Sequence, residues 1–270
     1  MKLLIKFLAL IAIGWVLVAP FTKQPKTVVK PVVLKPVLPS FYPVEVPELP
    51  LIRVLPEFAH ISDITEKKRA FFTFLRPLVQ QQNLQIRDTR QSLIIMQFKL
   101  SNKIKLSEKE LALVAKLQKS YRVKQADLHQ ALAQLLVKVD ELPEEIVLMQ
   151  AANESAWGSS RFAREGLNLF GQWCYQEGCG IVPLDRPEGY YYEVAAYSHV
   201  QQSVKSYFKN INTNPAYAKL RQIRATQRKQ QQALNAVALT EGLVAYSSRG
   251  EEYVSEIARM IQVNQKFLTD

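Results

Sequence analysis

Glu154, in the run Gln150-Ala151-Ala152-Asn153-Glu154-Ser155-Ala156-Trp157-Gly158, is the residue whose surroundings suggest chemistry. On a helix it shares a face with Val147, Gln150 and Ala151, and Trp157 and Gly158 follow at the next helical spacing. The acid therefore belongs at the edge of a buried stripe, beside an indole and near a helix C-terminus. Burial and the helix dipole both disfavour the charged carboxylate and raise its pKa. A carboxylic acid that stays protonated near neutral pH can give its proton to a leaving oxygen, which is what cleavage of a glycosidic bond needs. Spacing alone leaves a second reading open, a solvated glutamate at a helix end.

Cys174 and Cys179, with four residues between them, are the only cysteines. In an oxidising compartment this spacing predicts a small disulfide loop. His60, His129 and His199 form no cluster in the sequence, so no metal site and no cofactor are expected. A net charge of +11 points to an acidic partner, a membrane surface or an anionic wall polymer. With no arginine-rich run, zinc spacing or stacking motif, nucleic acid is not the expected one.

The elements that carry these residues follow from local pattern. Pro143 with Glu144 and Glu145 starts the helix of Glu154, since proline suits the first turn and acids complement the dipole there. Asp63 with Glu66, and Ser107 with Glu110, are capping-box starts for helices across 62–139, with a third apolar stripe from Leu128 to Val139. Such a region either packs on the C-terminal part or serves as a coiled spacer. Glycines 171, 178 and 180, the Pro187-Glu188-Gly189 turn and Tyr190-Tyr191-Tyr192 predict a small β-hairpin lobe over 168–198. Helices are expected again at 200–210, 227–237 and 253–267. The fold class is mainly α with one small β-lobe inserted after the Glu154 helix.

The N-terminus reads differently. Lys2 and Lys6 precede an apolar run to Ala19, the pattern of an export signal. Residues 1–19 are read as a cleaved signal peptide or, using residues 3–21, an inner-membrane anchor. Residues 20–56 hold nine of the 14 prolines, a density that prevents helix and makes a linker. The expected organisation is 1–19 signal or anchor, 20–56 linker, 57–140 helical region and 141–270 the domain with Glu154.

The run from Gln150 to Arg161 resembles the catalytic-acid motif of the glucosaminidase family, which is glycoside hydrolase family 73-like and related to the wall-cutting domain of the flagellar rod-cap protein. Asn168-Leu169-Phe170-Gly171, Tyr197-Ser198, Asn214-Pro215-Ala216-Tyr217 and Tyr246-Ser247-Ser248 with Tyr253 follow in the family's order. Gly171-Gln172-Trp173-Cys174, Gly178-Cys179-Gly180 and Arg186-Pro187-Glu188 are similar to one bacterial subtype.

The resemblance implies a lysozyme-like domain that hydrolyses the β-1,4 bond after N-acetylglucosamine in peptidoglycan, with Glu154 as general acid. It implies a tyrosine near the acid, Tyr246, and a second acid on the β-lobe. For that second acid Glu188 is preferred over Glu193, Asp185 and Glu177. Expected substrate contacts are Trp157, Asn168, Phe170, Trp173 and Tyr191. The expected partners are peptidoglycan glycan strands, with an inner-membrane tether as one option and the protein as a monomer, in the periplasm or otherwise exported. The competing readings are a lytic transglycosylase and a tethered wall-binding scaffold without activity.

Overall fold

The computed structural model describes residues 44–268; the expected signal or anchor and the linker up to residue 43 lie outside them. Helix α1 (Ile64–Ser101) starts where Asp63 accepts a hydrogen bond from the Glu66 N–H. Helix α2 (Glu108–Tyr121) starts at a complete capping box of Ser107 and Glu110. Helix α3 (Leu128–Lys138) is capped by Asp127. Helix α4 (Glu144–Glu154) follows Pro143, with both expected acids in its first turn. A short helix α5 (Arg161–Gly166) leads into the β-lobe. Beyond the lobe lie α6 (Val200–Thr213), α7 (Ala218–Lys229), α8 (Ala236–Thr240) and α9 (Glu251–Val263).

The helix expected over 227–237 is corrected. Its span holds the end of α7, a left-handed Gln231 and the Asn235 cap of α8. The Gln227 side chain accepts from the Asn235 N–H and ties the break together. An apolar spacing in that stretch does not form a helix because the chain reverses within it.

One core cluster runs from Leu55 to Phe267. Helix α1 lies against α3, α4 and α6, so the helices before residue 140 pack on the C-terminal part. Charge joins them as well. The Arg224 guanidinium on α7, fully buried, donates to the carbonyls of Val137, Asp140 and Glu141 and to Asn212 Oδ1. Asp140 also pairs with Arg90 of α1 (3.4 Å) and Arg228 of α7 (2.8 Å). Burial lowers Arg224 to about 10, so it stays charged at neutral pH and needs these partners.

The chain between residues 44 and 60 is docked on the fold rather than held away from it. It is held by hydrogen bonds in both directions, with the Ile52 N–H donating to Gln201 Oε1 (3.2 Å) and its carbonyls accepting. Gln81 donates to Pro47 O (2.7 Å), Gln201 to Pro50 O (2.7 Å), and the Val200 N–H to Ile52 O (2.8 Å). The segment ends in a 3-10 turn, Phe58–His60, with Phe58 buried.

The β-lobe is an antiparallel sheet of three short strands, β1 (Trp173–Cys174), β2 (Gly180–Ile181) and β3 (Glu193–Ala195), with β3 in the middle. Cys174 and Cys179 are joined by a disulfide that closes the loop between β1 and β2. Gly180 is required here, because a Cβ on it would lie 2.0 Å from the Val194 carbonyl oxygen. Among the described residues no helix is long and apolar enough to cross a membrane.

Candidate active site

Helix α4 is buried through Ala152, and Glu154 is its last residue, half-buried. Just beyond it the backbone leaves the helix sharply: Ala156, Trp157 and Gly158 all have positive φ (50°, 58° and 78°). The left-handed region costs a non-glycine residue roughly 1–2 kcal/mol. The turn meets that cost with its own bonds. Ser155 Oγ donates to Ala151 O (2.6 Å) and accepts from the Gly158 N–H (2.8 Å), while the Trp157 N–H reaches Ala152 O (2.8 Å).

This turn corrects the expected place of Trp157. Helical spacing ends at Ser155, so counting three residues past Glu154 does not bring the indole beside the acid. Its ring meets Phe71 and Phe72 of α1 edge-on, with the Lys68 ammonium 5.2 Å from its centroid. Trp157 is a packing residue of the turn.

The acid is instead held by tyrosines. Tyr253 Oη donates to Glu154 Oε1 (2.8 Å) and accepts from Gln150 Nε2 (2.9 Å). Gln150 Oε1 in turn accepts from Tyr207 Oη (2.6 Å). Gln150 and Tyr207 are fully buried, so the acid stands at the outer end of a satisfied interior chain. Tyr246 stacks on Tyr253 with ring centroids 5.5 Å apart, and its hydroxyl donates to Phe170 O (2.7 Å). Sequence reasoning put Tyr246 close to the acid, but the residue that touches it is Tyr253. Tyr253 was legible only as the second tyrosine of a motif, Gln150 only as a neighbour four positions back, and Tyr207 gave no signal.

The other oxygen of Glu154 faces the loop after α5. A Cβ on Gly171, which has φ 60°, would lie 3.2 Å from Glu154 Oε2, so the loop backbone passes close by. Asn168 shapes this loop: its Oδ1 accepts from the N–H groups of Phe170 and Gln172, and its Nδ2 donates to Gln172 O and Ala195 O. Asn168 and Phe170 are both buried, and the Phe170 ring stacks on Tyr207 at 4.2 Å. Neither side chain is exposed to a substrate, in contrast to the expectation for them. Both hold the loop against the acid.

Burial raises the pKa of Glu154 above the ordinary carboxylate value. The bonds from Tyr253 and Asn153 and the charge of Arg249 oppose this, and Glu256 adds to it. Arg249 lies over the Tyr253 ring and pairs with Glu256 at 2.5 Å. Burial also raises Tyr253, Tyr246 and Tyr207, and Tyr217 to about 12, so these phenols remain neutral donors.

On the β-lobe the candidates separate. Glu193 is buried in β3 and accepts from the N–H groups of Gly178 (3.0 Å) and Gly180 (2.7 Å), which lower its pKa. It braces the disulfide loop. Glu188, Asp185 and Glu177 are exposed, Glu188 in the turn where the Tyr190 N–H bonds to Pro187 O. Trp173 and Tyr191 are exposed as well, and Trp173 meets Tyr192 edge-on at 5.0 Å.

The model for the glucosaminidase family, described as mannosyl-glycoprotein endo-beta-N-acetylglucosaminidase, matches residues 130–266. Protein bax of Escherichia coli (strain K12) is 34% identical over 216 residues, covering 79% of this chain and 76% of that protein. No solved structure matches the chain significantly. A mainly helical fold, a small β-lobe, an acid beside the loop that leads into that lobe and a family match that spans all three lead to one conclusion: the chain belongs to the glucosaminidase family of glycoside hydrolases, and within it resembles Bax.

Proposed function

We propose that the protein hydrolyses the β-1,4 bond on the reducing side of N-acetylglucosamine in peptidoglycan, with Glu154 as general acid. The observation that carries this reading is the environment of one carboxyl group. Oε1 of Glu154 is engaged by Tyr253, while Oε2 looks toward Gly171, where no side chain stands in the way. Burial raises its pKa and so favours the protonated form, whose proton on the free side would pass to the glycosidic oxygen as the C1–O bond breaks.

Of the exposed aromatic residues of the lobe, which include Tyr175 and Tyr190, Trp173 and Tyr191 are assigned to sugar rings. Glu188 is assigned the second acid role, because Glu193 is already committed to backbone N–H groups. If Glu188 is dispensable, the substrate's own acetamido group is the nucleophile. A disulfide fits an oxidising, exported setting, where peptidoglycan is the glycan polymer at hand.

The test is digestion of purified sacculi by the wild type, Glu154→Gln and Glu188→Gln, with mass spectrometry of the products. Reducing-end N-acetylglucosamine, absent with Glu154→Gln, supports the reading. Anhydromuramyl products would make the enzyme a lytic transglycosylase. Sacculus binding with no release by the wild type would make it a scaffold.

A further inference from the structure

The turn that follows Glu154 rests on a part of the chain that the family match does not include. That match begins at residue 130. Phe58, fully buried at 1% exposure, packs against Gly158: a Cβ there would sit 2.5 Å from Phe58 Cδ2, 3.0 Å from Cε2 and 3.3 Å from Cγ. Phe58 is itself seated edge-on against Phe71 and Phe74, and Phe71 also meets Trp157. Two consecutive residues of the turn, Trp157 and Gly158, are thus held from outside by α1 and by the segment before it.

We propose that Phe58 is a positioning residue for Glu154, acting through Gly158, and that the docked segment 47–60 is a working part of the active site. The inference rests on the reading of Glu154 as general acid. Its physical reason is the strain of the turn. Ala156 and Trp157 sit in left-handed backbone without being glycine, so the conformation persists only where its surroundings over-determine it. The turn's own bonds come from Ser155 and the end of α4, the element it must hold in place. The external holds are Phe71 and Phe72 on Trp157 and Phe58 on Gly158. The chain of Phe58 is fastened upstream to Gln81 of α1 and to Val200 and Gln201 of α6, so the ring is not free to follow the turn. Without the ring, a void opens beneath Gly158, the left-handed residues relax, and the last turn of α4 frays into water. Glu154 then becomes better hydrated, and a carboxylate that is better hydrated has a lower pKa. The sugar-facing residues of the β-lobe are left in place.

The test uses the full chain and measures kcat and KM on soluble glycan fragments across pH, well below the melting temperature. Phe58→Ala is expected to lower kcat roughly 10- to 100-fold with KM within about twofold, as for a misplaced catalytic group. Its alkaline limb should move about 0.5 or more to lower pH. Phe58→Leu, which keeps most of the volume, should restore both. Val114→Ala, a buried truncation on α2, is the control for stability: it lowers the melting temperature without moving the limb. Equal behaviour of Phe58→Ala and Val114→Ala overturns the inference, as does a wild-type limb in Phe58→Ala. If Phe58→Ala does not fold, Gly158→Ala, whose Cβ pushes on the same ring, should shift the limb in the same direction; an unchanged limb overturns the inference. Glu154→Gln in the same assay separates the two readings. Retained activity there sinks the acid assignment, whereas a dead Glu154→Gln beside a normal Phe58→Ala sinks only the role of Phe58.

Discussion

The Tyr253 hydroxyl donates to Glu154 Oε1 at 2.8 Å while accepting from Gln150, so one oxygen of the acid is bound to the protein interior while the other faces the Gly171 loop. This bond orients the carboxyl group, and it also restrains the pKa. A donor to the carboxylate stabilises the charged form, in opposition to the larger effect of burial.

Removing that donor should therefore move the acid further up. In Tyr253→Phe the alkaline limb of kcat shifts to higher pH, while kcat falls by about 10- to 100-fold because the carboxyl loses its orientation. The buried Gln150 amide loses its acceptor, at a cost of about 1–3 kcal/mol. A pH profile and a thermal melt of the same variant check both parts; a limb that moves to lower pH refutes the assigned role.

Glu154→Gln should abolish cleavage, by about 1,000-fold or more, and stabilise the fold. The sign follows from proton binding. The folded-state pKa is raised, so the native state holds more protons than the unfolded chain, and stability is lost as pH rises through the window between the two values. Glutamine carries no such penalty. Its melting temperature should exceed that of the wild type at neutral pH. The difference should vanish below about pH 4, where the unfolded carboxylate is protonated too.

Gly171→Ala tests how closely the loop approaches the acid. The added methyl would stand 3.2 Å from Glu154 Oε2, and φ 60° strains any residue with a Cβ. A fall in kcat of about 100-fold, with a thermal shift of only a few degrees, is expected. Wild-type kinetics would mean that the Oε2 side is not the working face.

The disulfide between Cys174 and Cys179 closes a short loop on a lobe whose three strands have two or three residues each. A loop of this length is worth about 2 kcal/mol in the chain-entropy account. Replacing both cysteines by alanine should raise hydrogen exchange within 173–195, leave exchange in α1 and α4 unchanged, and reduce activity. Uniform exchange across the protein would mean that the lobe and the helices unfold together.

The elements were largely legible in the chain. Capping residues and apolar spacing are local signals, so Asp63, Ser107 and Pro143 marked helix starts that the structure repeats. The disulfide was legible because two cysteines alone allow one pairing. The miss over 227–237 came from a reversal at Gln231, where apolar spacing continues across a break in the backbone.

The site divides along the same line. Glu154 stood out in the sequence because helix periodicity placed it at the border of a buried face and because its run resembles a family motif, and in the fold burial raises its pKa. Its contact with Tyr253 was not legible in the chain, because that partner is brought in from afar. Tyr253 lies 99 positions along the chain. Phe58 lies just past the Pro-rich stretch, in a 3-10 turn that no apolar spacing marks, and Trp157 is turned away by three left-handed residues that end the helical count. Local spacing determines which face of a helix is buried. Which side chain donates to the acid, which oxygen stays free and what holds the turn beneath it depend on long-range packing, and only the tertiary structure decides them.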